Sequence, residues 1–263
     1  MMKFRLTFYL LIWISILLLS VPFLKNEYLA YQTTKYDVTQ YTNQELANNE
    51  KKAISGSPEI SSLAAIQPPS VTGISKSLNY DYSEEVIGGI SIPSLAIQLP
   101  ILQKITNENL YVGAAPVISN QKMGEGNYSL AAHHIHREKA FFGPLMNAKK
   151  GEKIYLQNAT YQYIYQIVTV KVVPETDTSV LKQTNKPTLT LITCDKPTTT
   201  RNRLIVTAEL VQKQILTQAS KSEVVFSEKP IPLFNFWNII IGAGIIFVMG
   251  LLVMIIWKKS KKY

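Results

Sequence analysis

Thr188-Leu189-Thr190-Leu191-Ile192-Thr193-Cys194 and, nine residues beyond the cysteine, Arg203-Leu204-Ile205-Val206-Thr207-Ala208-Glu209-Leu210 decide how this chain is read. Both are short apolar runs rich in β-branched residues and bounded by polar segments, the pattern of buried strands. Joined by the loop 195–202, they read as sheet neighbours, which puts Cys194 and Arg203 at the same end. Cys194 is the chain's only cysteine, so it has no internal disulfide partner.

Outward from this pair, the strand texture continues. Residues 161–173 form a long strand with Tyr161, Tyr163, Tyr165, Ile167 and Thr169 on one face, ended by Pro174. A polar loop, 175–186, leads into the cysteine strand. Residues 153–157 and 127–133 give two more strands. The stretch 86–101, VIGGISIPSLAIQLPI, gives two short strands around Gly88-Gly89 and Pro93. Residues 104–112 predict a helical turn, and 140–146 a short helix or turn that plugs a core. About eight strands, few helices and no βαβ rhythm predict an all-β, closed or nearly closed antiparallel barrel with short helices.

Two stretches lie outside this texture. Residues 6–24 and 231–257 carry no charge, and each can cross ~30 Å of hydrocarbon at ~1.5 Å per helical residue. Lys3 and Arg5 precede the first; Lys258, Lys259, Lys261 and Lys262 follow the second. Basic flanks favour the cytoplasmic side, so both ends are expected inside and the middle outside. A cleaved signal peptide is the rival for the first run, but no clean small-x-small site follows it before Lys25. The expected organisation is a cytoplasmic tail and amino-terminal anchor (1–25), an extracellular stalk (26–85), the catalytic barrel (86–212), a linker (213–230), a second transmembrane helix (231–257) and a basic cytoplasmic tail (258–263). For 26–85, a small helical subdomain packed on the core is the alternative to a stalk.

The formal charge is +9, and those six flanking residues account for six of it, leaving +3. That excess, with no run of basic residues interleaved with aromatics, does not suggest a nucleic-acid partner.

A thiol nucleophile needs a base and an oxyanion donor. The only histidines are His133, His134 and His136, all at the end of one strand. His133 and His134 point to opposite faces, so one can face the cysteine. Arg203 is a permanent multi-donor cation, and Arg201 competes for that role. Taken alone, Cys194 reads equally as a small buried hydrophobe. A zinc site from one cysteine and three histidines has no supporting carboxylates at fixed spacing.

Here the sequence resembles the sortases, cysteine transpeptidases of Gram-positive cell surfaces. The resemblance covers residues 86 to about 212. Thr190-Leu191-Ile192-Thr193-Cys194 resembles the family's TLxTC signature, Arg203-Leu204-Ile205-Val206 its arginine strand, and Ser129-Leu130-Ala131-Ala132-His133 the strand ending in its histidine. Phe142-Gly143-Pro144-Leu145 is similar to the turn that follows. The resemblance implies a sortase-type barrel with Cys194, His133 and Arg203 catalytic. It further implies that Thr193, Ala132 and His134 line the substrate groove, and that Val180 and Leu181 contact the Leu-Pro part of a sorting signal. Cys194 would attack the Thr carbonyl of an LPxTG-type signal on a surface protein. His133 would protonate the leaving amine, and lipid II or a peptidoglycan cross-bridge amine would resolve the acyl-enzyme.

The chain departs from the family pattern in two ways. A carboxy-terminal span is typical of class C pilin polymerases, whose acceptor is a pilin lysine, yet residues 25–85 lack the Asp-Pro of their lid. The histidine region resembles class A, which is the reading favoured. Some relatives bind calcium through clustered acids, but Glu125, Glu175 and Asp177 are too few for the many oxygens calcium prefers, so no metal or other cofactor is expected. A peptidase that stops at hydrolysis, and a non-catalytic surface scaffold, are the remaining alternatives.

Overall fold

The alternation along residues 86–102 folds as the two expected strands. In this computed structural model, β1 (Val86–Ile92) and β2 (Ile97–Leu102) pair antiparallel, with Ile90 opposite Leu99 and Ile92 opposite Ile97. A 3-10 turn, Pro93–Leu95, joins them. The structure describes residues 2–54, 63, 66, 68–77, 79–135, 140–216 and 226, and only the backbone at many positions of the first helix. The expected second span 231–257, the tail 258–263 and His136 lie outside the described residues.

The remaining strands are β3 (Ala115–Pro116), β4 (Asn127–Ala131), β5 (Lys153–Gln157), β6 (Tyr161–Pro174), β7 (Thr188–Cys194) and β8 (Asn202–Ile215). They form one eight-stranded sheet of order β2-β1-β5-β6-β8-β7-β4-β3. Its two edges nearly meet: Ile101 bridges Ala114, and Leu102 donates to the Ala114 carbonyl at 2.8 Å. The expected nearly closed barrel is therefore present, with one difference. β4 and β7 run parallel, with Leu130 opposite Leu191. The chain makes two other strands, β5 and β6, between them, and that long crossover is what a parallel pair needs.

The barrel is filled by Ile90, Leu130, Leu156, Tyr165, Leu191 and Val206, among others. Phe141, Phe142 and Leu145, around the 3-10 turn Gly143–Asn147, plug this core as the sequence predicts. β8 runs past the expected strand end to Ile215, which pairs with Tyr161.

The described residues of 26–85 pack on the barrel, the alternative to the expected stalk. Helix α1 (Met2–Lys35) runs unbroken out of the apolar segment and buries Leu29 in the barrel's core cluster. Thr33 donates to the Val112 carbonyl at 2.8 Å. Helix α2 (Asn43–Ala53) starts on a capping box between Thr42 and Glu45. Its buried Asn49 donates to both the Ser83 and Val86 carbonyls at 2.9 Å, fastening α2 to the start of β1. Gly89 is required there, because a Cβ would come within 2.6 Å of Val38. This is the packed alternative: a helical layer that covers the outer face of β1.

Side chains for most of 6–24 lie outside the described set. Among the described residues, no helix is long and apolar enough to cross a membrane. The expected anchor thus rests on the sequence alone, on the full charge-free run and its basic flanks.

Candidate active site

β7 is buried on both faces, as its unbroken apolar and threonine run dictates, and its last residue is Cys194. Opposite Cys194 on β8 stands Arg203. On the other side of β7, β4 runs parallel with Ala131 level with Ile192. The contact continues past the strand end, with the Ala132 N–H donating to Ile192 O at 3.2 Å and the Thr193 hydroxyl to Ala132 O at 2.8 Å. Counting on by two, His133 comes level with Cys194. The sheet order therefore sets histidine, cysteine and arginine across three adjacent chain segments.

The thiol is buried, and burial raises its pKa; the Arg203 charge works against that rise, while Asp195 and Glu175 add to it. His133 is 1% exposed, stacked on Tyr111 with centroids 6.0 Å apart, with its edge toward Phe141. Its Nε2 has no hydrogen-bond partner among the described residues. Burial, with the Lys25 charge second, lowers its pKa to about 3. The resting pair is thus a neutral thiol and a neutral imidazole, not a thiolate–imidazolium pair.

Tyr111 is held from above by helix α3 (Val71–Ser77), whose Gly73 has no room for a Cβ: one would sit 2.1 Å from the Tyr111 hydroxyl. Lys25 reaches the same cover, donating to Pro69 O at 3.2 Å. The segment before α3 also contacts the reactive groups. Cys194 Sγ donates to Ile66 O at 3.6 Å, and Arg203 donates from Nε and Nη2 to Leu63 O at 3.1 and 3.0 Å. These two main-chain carbonyls thus occupy donors of both Cys194 and Arg203.

The structure separates the two candidate arginines. Arg203 is fully buried, whereas Arg201 is exposed and takes part through its main-chain carbonyl. His134 is half-buried, and its Nδ1–H donates to the Cys194 carbonyl at 3.0 Å, so it braces the end of the cysteine strand. Val180 and Leu181 are brought to Cys194: they share an apolar cluster with Val117, Ala131, Ile192 and Ile205. Asn127 holds that loop through the Val180 and Lys182 carbonyls, at 2.9 and 3.0 Å.

Thr193 and Ala132 stand beside the site at the end of β7 and just past β4. Both are fully buried, Thr193 tying β7 to Ala132 and Ala132 facing the barrel core. The residue of β4 that joins the cysteine cluster is Ala131. Period-two counting back from His133 gives 131, not 132.

Sequence reasoning missed Leu63, Ile66 and Tyr111, and considered Glu175 only as a calcium acid. Glu175 instead pairs with Arg203 at 2.8 Å. The signal for Glu175 was its place directly after the long strand beside β8. Nothing local marks Leu63 or Ile66, which lie far from Cys194 and Arg203 in sequence.

The sortase domain's family model matches residues 90–211. A sortase A of Listeria monocytogenes is 37% identical over 207 residues, covering 78% of this chain and 90% of that protein. The chain belongs to the sortase family, whose members are cysteine transpeptidases. A sortase A of Streptococcus agalactiae is 41% identical over 151 residues, covering 55% of this chain and 61% of that one. Among solved structures, Listeria monocytogenes sortase A superposes with a TM-score of 0.53 at 40% identity, covering 54% of this chain and 99% of that one. Streptococcus pneumoniae sortase C-3 shares the fold, with a TM-score of 0.54 at 22% identity, 71% of this chain and 93% of that one.

Proposed function

We propose that this sortase is a membrane-anchored, class A-like transpeptidase that cleaves an LPxTG-type sorting signal between Thr and Gly and passes the acyl group to a cell-wall precursor amine. The observation that carries the reading is the alignment of His133, Cys194 and Arg203 on neighbouring segments at one barrel rim. The sortase A relatives, one matched over nine-tenths of its length, support class A.

In this scheme Cys194 Sγ attacks the Thr carbonyl carbon. Because thiol and imidazole both rest neutral, the thiol proton passes to His133, which then delivers it to the departing glycine amine. Arg203 stays protonated throughout and stabilises the oxygen as negative charge develops on it. An incoming amine then attacks the thioester and frees the thiol. No metal takes part in this scheme. Glu175 already serves Arg203, and Asp177 caps a 3-10 turn by accepting from the Ser179 N–H.

The test uses the full chain in detergent, wild type and Cys194→Ala, with an LPxTG-type peptide and short amine acceptors, read by mass spectrometry. The expected result is a Thr–acceptor product from wild type only, unchanged by a calcium chelator. Product formed by Cys194→Ala would overturn the nucleophile assignment. Transfer only to a pilin lysine peptide would replace the wall-anchoring reading with a pilin polymerase.

A further inference from the structure

The end of β6 carries a carboxylate that the scheme above leaves without a role in the reaction. Pro174, the last residue of β6, is level with Asn202 at the start of β8, and the next residue, Glu175, donates its N–H to Arg201 O at 2.8 Å. This main-chain pairing fixes the Glu175 side chain beside the Arg203 guanidinium. Glu175 Oε2 accepts from Arg203 Nη2 at 2.8 Å, with the arginine side chain fully buried and the glutamate 20% exposed.

A guanidinium has five N–H groups in one plane. Nη1 donates to Thr200 O and Asn202 O, both at 3.0 Å. One Nη2 hydrogen goes to Glu175. What remains is one Nε–H and one Nη2–H, adjacent on one edge of the fork. That edge is the one that grips Leu63 O, with Ile66 O a further 3.4 Å contact of Nη2. The Cys194 thiol donates to the same Ile66 carbonyl. This edge therefore reads main-chain carbonyls beside the sulfur, and Glu175 adds a charged partner at the opposite corner of the fork.

We propose that Glu175 is a positioning residue: it clamps Arg203 so that the Nε/Nη2 edge faces the carbonyl of the acyl group held at Cys194. This rests on the acyl-transfer reading above. An exposed ion pair would contribute little. Here the cation is buried, so removing its partner frees a group whose catalytic value depends on orientation.

The experiment compares wild type, Glu175→Ala and Glu175→Gln as full chains in detergent, measuring kcat and KM for peptide cleavage and the pH midpoint of Cys194 alkylation. Glu175→Ala is expected to lower kcat by about tenfold or more with KM changed less than about twofold, because the interaction matters most as charge develops on the carbonyl oxygen. Glu175→Gln keeps an oxygen for Nη2–H and is expected to recover part of that loss. Its alkylation midpoint is expected to move to lower pH. Of the charged groups near the thiol, Arg203, Asp195 and Glu175, only the last is neutralised. Wild-type kcat in Glu175→Ala, equal losses in the two variants, or a loss confined to KM would each overturn the proposal. If wild type cleaves no peptide, the acyl-transfer reading fails instead. The alkylation midpoints still decide the clamp: both variants remove the Glu175 charge, so midpoints that differ between Glu175→Ala and Glu175→Gln support it, and equal midpoints overturn it.

Discussion

The side chain that constrains the chemistry most is His133, because its environment has two consequences of opposite character. Packed between Tyr111 and Phe141, it is held in line with Cys194 and deprived of water. The same burial lowers its pKa from 6.5 to about 3. In the unfolded chain the imidazole takes a proton below about pH 6.5, whereas the folded site refuses one until about pH 3. The stabilisation from keeping it neutral is fully present above about pH 6.5 and is lost as pH falls toward 3, at about 1.4 kcal/mol per pH unit. Urea unfolding at pH 6.5 and 5 should therefore show a steeper loss for wild type than for His133→Gln. Parallel slopes would mean that His133 is hydrated in the folded protein. The choice of His133 was legible only through the family resemblance, because alternation sets 133 and 134 on opposite faces without saying which face holds the cysteine. Its burial was not, because Tyr111 and α3 come from elsewhere in the chain.

At the level of elements, the sequence was readable wherever apolar periodicity carried the information. The strands at 153–157 and 188–194 and the plug around Phe142 were placed from local pattern. The parallel β4–β7 pairing was not, because alternation gives a strand its faces but not its neighbour's direction. β8 was cut short for a related reason: Lys213, Gln214 and Ile215 look like the start of the linker, yet they complete the ladder against Tyr163, Gln162 and Tyr161. The helical layer before the barrel was the alternative to the expected stalk and not the leading expectation. Its composition is polar, and it docks through a few buried groups, Val38, Leu46 and Asn49 chief among them. Asn49 supplies the decisive test. Its two amide hydrogens satisfy the carbonyls of Ser83 and Val86, and removing the amide would leave those acceptors poorly matched. Asn49→Ala should destabilise the fold by about 1–3 kcal/mol in urea unfolding. A neutral effect would mean that α2 does not dock on β1 and that residues 26–85 behave as a spacer.

For the molecule as a whole, α1 joins the charge-free run to the barrel without a flexible interruption. In the proposed reaction the anchor does not alter Cys194, His133 or Arg203; it confines the site to the surface where the sorting signal and the precursor amine are themselves confined. Confinement raises effective concentration and leaves intrinsic chemistry alone. Deleting residues 2–24 while keeping Lys25, Leu29 and Thr33, which contact the cover and the barrel, separates these two effects. With a soluble peptide and soluble amine, the truncated chain should match the full chain in kcat/KM. With the acceptor amine on lipid vesicles, the full chain reconstituted in the same vesicles should transfer on the order of a hundredfold faster than the truncated one. Equal vesicle rates would show that the run does not place the enzyme at the membrane. A loss already present with soluble substrates would mean that the deleted part of α1 supports the barrel's fold, and circular dichroism of the truncated chain would show that loss directly.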